Sequence, residues 1–429
     1  MMKVLSSNKK KFETELNNLL ELRKRKIKNS STSVTNIIKD VQKNGDRALI
    51  KYEKRFNRNS KLTPSKKQIS KTIKNLDKKV KRAIDLAYDR IYKFHSLQKF
   101  KDISYVDKFR NKIQYKHIPL ESAAIYVPGS SASYPSSVLM SAIPAMVAGV
   151  KRIVMINPTY AGKHNPAVLY AAKKCKIREI YSIGGPSAIA AVAYGTKKIK
   201  PVNKIVGPGN SYVVAAKKEV FGDIGVEAMT AGPSEVTIVC DKYSNPEWIA
   251  SDLIGQAEHD ILAQCILIAK DKKILQKIKF EVSKQLKKIP RISIAKRSLI
   301  NNGILMYIPS DVKIIEVINK IGPEHLELNT KNYKAFIPKI RNAGSVCLGK
   351  YAVMAMTDYG VPGTNHILPT NMTTKYSSGL SVSEFIKKIS YINLSKKGIE
   401  TLGPSAITLA NYEGLDGHAQ SIIKRIRRK

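Results

Sequence analysis

Acidic residues are scarce in this chain: 33 Asp and Glu stand against 75 Lys and Arg in 429 residues, a formal net charge of +42. Such an imbalance raises nucleic acid as a first partner. The lysines, however, are spread over almost every expected surface helix, as at Lys71, Lys74, Lys78, Lys79 and Lys81, and again at Lys173, Lys174 and Lys176, without interleaved aromatics. No helix-turn-helix, zinc-finger or RNP-like pattern accompanies them, so the charge reads as a compositional habit of a Lys-, Ile- and Asn-rich proteome and no nucleic-acid partner is expected. Cysteine is also sparse. Cys175, Cys240, Cys265 and Cys347 lie far apart with no C-x-x-C pair, which excludes a disulfide framework and points to buried thiols in a reducing, cytoplasmic compartment. Long apolar runs are missing too. Met1 to Leu5, followed by Lys9 to Lys11, has no signal-peptide core, and the run Val138 to Val150 is too short for a bilayer and is interrupted by Ser141 and Pro144. No membrane segment is expected. There is no internal repeat and no G-x-G-x-x-G fingerprint.

What is present suits a globular α/β enzyme. An apolar content of 43% is ample for two or three cored domains. The first 120 or so residues read as mostly helical, with Val34, Ile37, Ile38 and Val41 at helical spacing and a break at Gly45-Asp46. No chemistry is visible there, and scaffold and dimer contact are the expected roles. From Ala123 the pattern becomes βαβ: strands at Ala124–Val127, Arg152–Ile156, Glu179–Ile183 and Lys204–Val206 alternate with helices. Glycine turns at Gly184-Gly185 and Gly207-Pro208-Gly209 open helices whose N-termini favour an anion. A second βα series starts at Glu235–Val239 and passes through Cys265–Ala269 and Gly303–Ile308, so parallel sheets with covering helices are expected. The tail from Ser377 reads as helical again.

The chemistry gathers in the second half. Asp252 to Asp260 reads as the C-terminal end of a helix begun near Asn245-Pro246-Glu247, which puts Gln256 and His259 on one face as a metal half-site. A Gln and a His three apart are more often two solvated helix residues. Histidine, however, numbers only seven, and His259, His325, His366 and His418 all lie in polar, glycine-flanked segments, accompanied by Gln256, Glu324, Asp358 and Glu413. That argues for one convergent site. Oxygen and nitrogen donors without thiolates suit a catalytic zinc, or manganese, with an open position. Glu324-His325, directly after Gly-Pro, reads as an acid/base pair rather than as two ligands of one ion, the plain alternative being a solvated loop.

Six stretches, Gly232 to Val236, Asp252 to His259, Gly322 to Glu327, Gly363 to Thr370, Ser377 to Val382 and Glu413 to Leu415 with His418, resemble the histidinol dehydrogenase family in the same order, from about residue 30 to the C-terminus. The resemblance implies two incomplete Rossmann-like parallel-sheet domains plus helical N- and C-terminal segments. The divisions would be 1–25, a helical segment; 26–125, the first part of the catalytic domain; 126–235, an inserted NAD domain; 236–378, the second part with the metal site; and 379–429, a tail serving the partner subunit. It implies oxidation of L-histidinol through L-histidinal to L-histidine with NAD, the last step of histidine biosynthesis, in a cytoplasmic homodimer with one zinc per subunit. Zinc would take the substrate's imidazole and amine as further ligands. The metal ligands match Gln256, His259, Asp358 and His418, and the acid/base pair matches Glu324, which would activate water, and His325, the general base. Substrate contacts match Ser234, Gln256, His259, His325, Asp358, Glu413 and His418, with Glu413 and His418 completing the partner's site. The cofactor contacts match Tyr126, Ser187 and Asn210.

Three positions depart from the family pattern. Ser187 stands where Gln is usual, Val361-Pro362 lengthen the Asp358-to-His366 loop by one residue, and Gly417 replaces the commoner Ala. The competing readings are a paralogous zinc- and NAD-dependent dehydrogenase of another small alcohol, such as a sulfonated diol, and, from a different class, a basic nucleic-acid-binding protein.

Overall fold

The computed structural model describes residues 2–25, 31–129, 134–227 and 232–426. Its first quarter holds more than helices. Strand β1 (Lys3–Ser6) joins the edge of a sheet otherwise built by the second half of the chain. Helix α1 (Phe12–Arg25) buries Phe12, Leu16 and Leu20, one residue per turn, against that sheet. Helix α2 (Ser31–Asn57) is two helices joined at Gly45, whose φ of 49° supplies the expected break. Helices α3 (Lys66–Lys74) and α4 (Lys78–Ser96) start at Ser65 and Asp77, whose side chains accept first-turn N–H groups. Strands β2 (Ile103–Val106) and β3 (Lys112–Pro119) then form an antiparallel pair. These three strands correct the helical expectation. β2 and β3 are exposed on both faces along most of their length, so they carry no alternation for a sequence reading to detect.

The next stretch builds a five-stranded parallel sheet from β4 (Ser122–Tyr126), β5 (Arg152–Ile156), β6 (Glu179–Tyr181), β7 (Lys204–Val206) and β8 (Gly225–Val226), in the order β6-β5-β4-β7-β8. Helices α5 (Pro135–Ala148), α6 (Pro166–Lys174), α7 (Gly185–Tyr194) and α8 (Ser211–Glu219) connect them. Both faces are covered, and β4 alternates between them: Ala124 and Tyr126 enter one core, Ala123, Ile125 and Val127 the other. Strand order reverses between β4 and β7, which opens a crevice beyond their carboxyl ends. Gly207, at a φ of 112°, lies so close to β4 that a Cβ there would sit 2.3 Å from the Tyr126 carbonyl oxygen.

The second parallel sheet uses β9 (Glu235–Cys240), β10 (Gln264–Ala269), β11 (Gly303–Tyr307), β12 (His325–Asn329) and β13 (Ser345–Leu348), in the order β1-β11-β10-β9-β12-β13. Helices α9 (Pro246–Ala257), α10 (Lys272–Gln285), α11 (Ile292–Asn302), α12 (Asp311–Ile321) and the short α13 (Met354–Asp358) accompany it. The tail is not wholly helical. Strand β14 (Ile386–Asn393) pairs antiparallel with β3 over its full length before α14 (Lys396–Tyr412) and α15 (Asp416–Ile426), which pack on each other at Gly403 and Ile426. β14 escaped detection for the same reason as β3: almost every residue is exposed. Among the described residues no helix is long and apolar enough to cross a membrane.

Candidate active site

A cavity of about 730 Å³ lies between the carboxyl edge of the five-stranded sheet and the amino edge of the six-stranded one. The first sheet supplies Tyr126 and Asn210, and the second supplies Ser234, Gln256, His259, Glu324, His325 and Asp358. The Gly-Pro step before the acid/base pair has a structural meaning. Gly322 ends α12 in the left-handed conformation (φ 55°) and Pro323 prevents continuation, so the next residues enter β12 at once. His325 is then held between Val236 of β9 and Ser345 of β13. The Glu324-His325 pair is therefore buried, at 6% and 3% exposure, and not a solvated loop.

Gln256 and His259 do not share a helix face as expected. Helix α9 ends at Ala257, and His259 sits in the turn beyond it, its N–H donating to the Gln256 carbonyl at 3.3 Å. The turn still aims both side chains into the cavity. His259 Nε2 lies 3.6 Å from Asp358 Oδ2, and His325 Nε2 lies 3.5 Å from Asp358 Oδ1 and 4.0 Å from Glu324 Oε1. Gln256 is 1% exposed, and both its amide atoms are buried without a hydrogen-bond partner, a cost of about 1–3 kcal/mol for each such group. The loop after Asp358 is closed by His366, whose Nδ1 donates to the Asp358 carbonyl at 2.7 Å while Nε2 meets Ser137 Oγ at 3.0 Å. With Val361-Pro362 in the loop, Asp358 is anchored all the same.

Burial sets the protonation of this cluster. It pushes Asp358 up to about 7 and Glu324 well above the usual carboxylate range, with Asp358 adding to the rise and Arg23 opposing it. It pushes His325 down to about 3, helped by His366 and His259, so the imidazole is neutral at pH 7 with a lone pair available. Arg23 was not anticipated. Helix α1, read as scaffold, carries this guanidinium into the cavity wall, where it pairs with Glu235 and is pushed down to about 9 by burial. Glu235 also accepts the Asn371 N–H (2.8 Å), and its own backbone N–H donates to Glu324 Oε2 (2.8 Å), while the Arg23 charge acts on Glu324 through space. An Arg standing beside Lys24 and Arg25 at the end of a helix carries no sequence signal of such a role.

The histidinol dehydrogenase family model matches residues 20–426 of the chain. A histidinol dehydrogenase of Pelagibacter ubique (strain HTCC1062) is 73% identical, with all of both chains covered. The chain belongs to the histidinol dehydrogenase family. Histidinol dehydrogenase 1 of Trichormus variabilis is 42% identical over 99% of each chain. The crystal structure of histidinol dehydrogenase from Elizabethkingia anophelis superposes with a TM-score of 0.91 at 36% identity, covering 99% of this chain and 98% of that one. The α/β architecture with two parallel sheets is thus that of a histidinol dehydrogenase.

The family's metal can be tested against the side chains present. Gln256 offers an orphaned carboxamide oxygen, His259 a neutral imidazole and Asp358 a carboxyl, all three lining one cavity, with His259 and Asp358 3.6 Å apart. These are hard and borderline donors of the kind zinc accepts. Among the described residues no group of three or more His, Cys, Asp or Glu side chains is placed to hold a metal ion, so Gln256 would have to be among the donors. Glu413 and His418 stand apart from these donors in the same chain. They lie exposed at the end of α14 and in α15 and do not line the cavity.

On the cofactor side the glycine turns are less open than expected of a histidinol dehydrogenase anion site. The Gly184 N–H, at the start of α7, already donates to Glu53 Oε1 at 2.7 Å, and Gly185 N–H donates to the Tyr126 hydroxyl at 3.2 Å. Asn210 lines the cavity, and its side chain caps α8 through Val213 N–H. Ser187 departs from its expected place. Its hydroxyl is buried and donates to the Gly184 carbonyl at 3.1 Å, outside the cavity lining. Being short, it stays within its own turn. Glu53 is 1% exposed and pushed up to about 7 by burial. The native state therefore binds its proton more tightly than the unfolded chain, and that contribution to stability is lost as pH rises from about 4.5 to about 7. The Glu53→Gln variant is expected to unfold with a flatter pH dependence across this window and to be about 2–3 kcal/mol more stable relative to wild type at pH 8 than at pH 5; denaturant titrations at the two pH values check it.

Proposed function

We propose that this chain oxidises L-histidinol through L-histidinal to L-histidine with NAD+, as a cytoplasmic homodimer holding one zinc per subunit. The observation that carries the proposal is the convergence of an unpartnered buried Gln256, His259 and Asp358 beside a neutral His325 and Glu324. Gln256, His259 and Asp358 would hold the zinc, with His418 of a second copy as the remaining ligand, and Tyr126 and Asn210 would meet the cofactor. When bound, zinc supplies a Lewis-acid anchor for the substrate's nitrogen donors, and NAD+ accepts the hydride.

The chain's own residues do the rest. Ser234 at the cavity wall, and Glu413 of the second copy, would orient the amino alcohol. His325 Nε2 removes the hydroxyl proton in the first oxidation, a role its low affinity for a proton in the free site leaves it free to begin. Glu324, kept a strong base by burial and allowed to ionise by Arg23, takes a proton from the water that hydrates the aldehyde. His325 takes the hydrate's hydroxyl proton in the second oxidation.

Two further features support the assembly and its compartment. Leu409, Tyr412 and Leu415 expose 61%, 91% and 42% of their surface beside Glu413, as an apolar surface awaiting a partner does. All four cysteines are unpaired and buried, as in a reducing cytoplasm.

The role of Glu324 gives the most specific test. The Glu324→Gln variant is expected to oxidise histidinol to the aldehyde level within about tenfold of wild type but to convert supplied histidinal to histidine about 10²–10⁴-fold more slowly. Single-turnover NADH formation with each substrate reads the two halves separately, and a normal aldehyde half would remove Glu324 from its role.

A further inference from the structure

Behind the cavity, and outside its lining, two carboxyl groups face each other. Asp252 lies on α9 one turn before Gln256, and Glu327 lies on β12 two residues past His325. Their side chains hydrogen-bond to one another. Glu327, 1% exposed, also accepts the Met354 N–H at 2.7 Å. Met354 is the first residue of α13, whose last residue is Asp358. Val353, the residue before it, provides no side-chain cap, so the Glu327 carboxylate does the capping from the neighbouring strand. The three elements tied together here are those that carry Gln256, His325 and Asp358.

We infer that Asp252 and Glu327 form a proton-sharing carboxyl clamp that positions α9, β12 and α13, and through them the metal-holding side chains. The inference rests on the site reading above. Two carboxyl groups at hydrogen-bond distance cannot both be ionised without repulsion, so one proton bridges them. Burial pushes both groups up, in keeping with a retained proton. Two further titratable groups act on or beside the pair: Asp358, whose charge adds to the rise at Glu327, and the thiol of Cys347 on β13, which burial holds protonated. Among the described residues no cation pairs with either carboxyl, so the clamp is a hydrogen-bonding device, and its amide equivalent should serve as well. A Gln at 327 can accept the Met354 N–H with its oxygen and donate to Asp252 with its nitrogen.

The test measures zinc affinity of the full-length dimer by competition with a chromophoric chelator, independently of turnover. Glu327→Met, close in volume but without acceptors, is expected to bind zinc about 10–100-fold more weakly than wild type. Glu327→Gln is expected to stay within about threefold of wild type, a rescue that a charge-based role would not allow. Should the Met variant fail to fold, Asp252→Ala carries the test, because Asp252 is only half-buried and its loss leaves the Met354 bond in place with one clamp arm gone; its expected loss is about three- to tenfold. Folded variants of either kind with wild-type zinc affinity would overturn the clamp alone. A wild-type chain that binds no zinc, or that keeps it after Gln256, His259 and Asp358 are replaced, would overturn the site reading and the clamp with it.

Discussion

His325→Asn is expected to lower kcat for L-histidinol by about 10²–10⁴-fold, the usual span for removing a positioned general base, while changing KM less than about tenfold. Asparagine keeps a polar group of similar reach at the head of β12, so Val236 and Ser345 still hold the strand start. It cannot take the hydroxyl proton. Because His325 is pushed down to about 3 in the free site, wild-type kcat/KM should show no fall attributable to its protonation at any pH above about 5. A kcat of the variant within tenfold of wild type would remove His325 from the proton path.

The second large effect concerns the subunit that supplies the last ligand. His418→Ala and His259→Ala chains are each expected to be inactive by themselves, because each dimer then lacks one donor at both sites. Mixed in equal amounts and allowed to exchange, half of the dimers are mixed, and each mixed dimer keeps one intact site. About a quarter of wild-type activity should therefore return. If His418 served its own chain, no mixing would restore activity. The geometry argues for exchange, since His418 is exposed and does not line the cavity of the chain that carries it.

Much of this was legible from residue order. The second-half strands were readable because parallel strands buried on both faces are short apolar runs, as in Val236 to Cys240, bounded by turn residues. The Glu324-His325 pair was readable because Gly-Pro marks an abrupt helix stop. β2, β3 and β14 were not, since strands exposed on both faces carry no hydrophobic period. The end of α9 fell two residues short of His259 because nothing in Gln256 to Asp260 marks a stop; the turn is set by packing.

The misses at the site share one cause. Arg23, Glu53 and Glu327 act through partners 212, 131 and 27 residues away, namely Glu235, Gly184 and Met354. Each is an ordinary charged residue in its own segment, and only the fold reveals that it is buried. Glu327 could have been suspected, because it stands as a charge between two leucines of a buried strand. Arg23 stands in a basic run with Lys24 and Arg25, and Glu53 sits in a helix that exposes most of its charges, so nothing local separates either from its neighbours.

The most direct test is NADH formation from L-histidinol by the purified full-length protein, before and after metal removal by a chelator. The account predicts two NADH per histidinol consumed, loss of turnover on chelation and its return with added zinc, and no NADH from a sulfonated diol. Zinc-replete, folded protein that forms no NADH from histidinol, or whose rate is untouched by complete removal of metal, would contradict it.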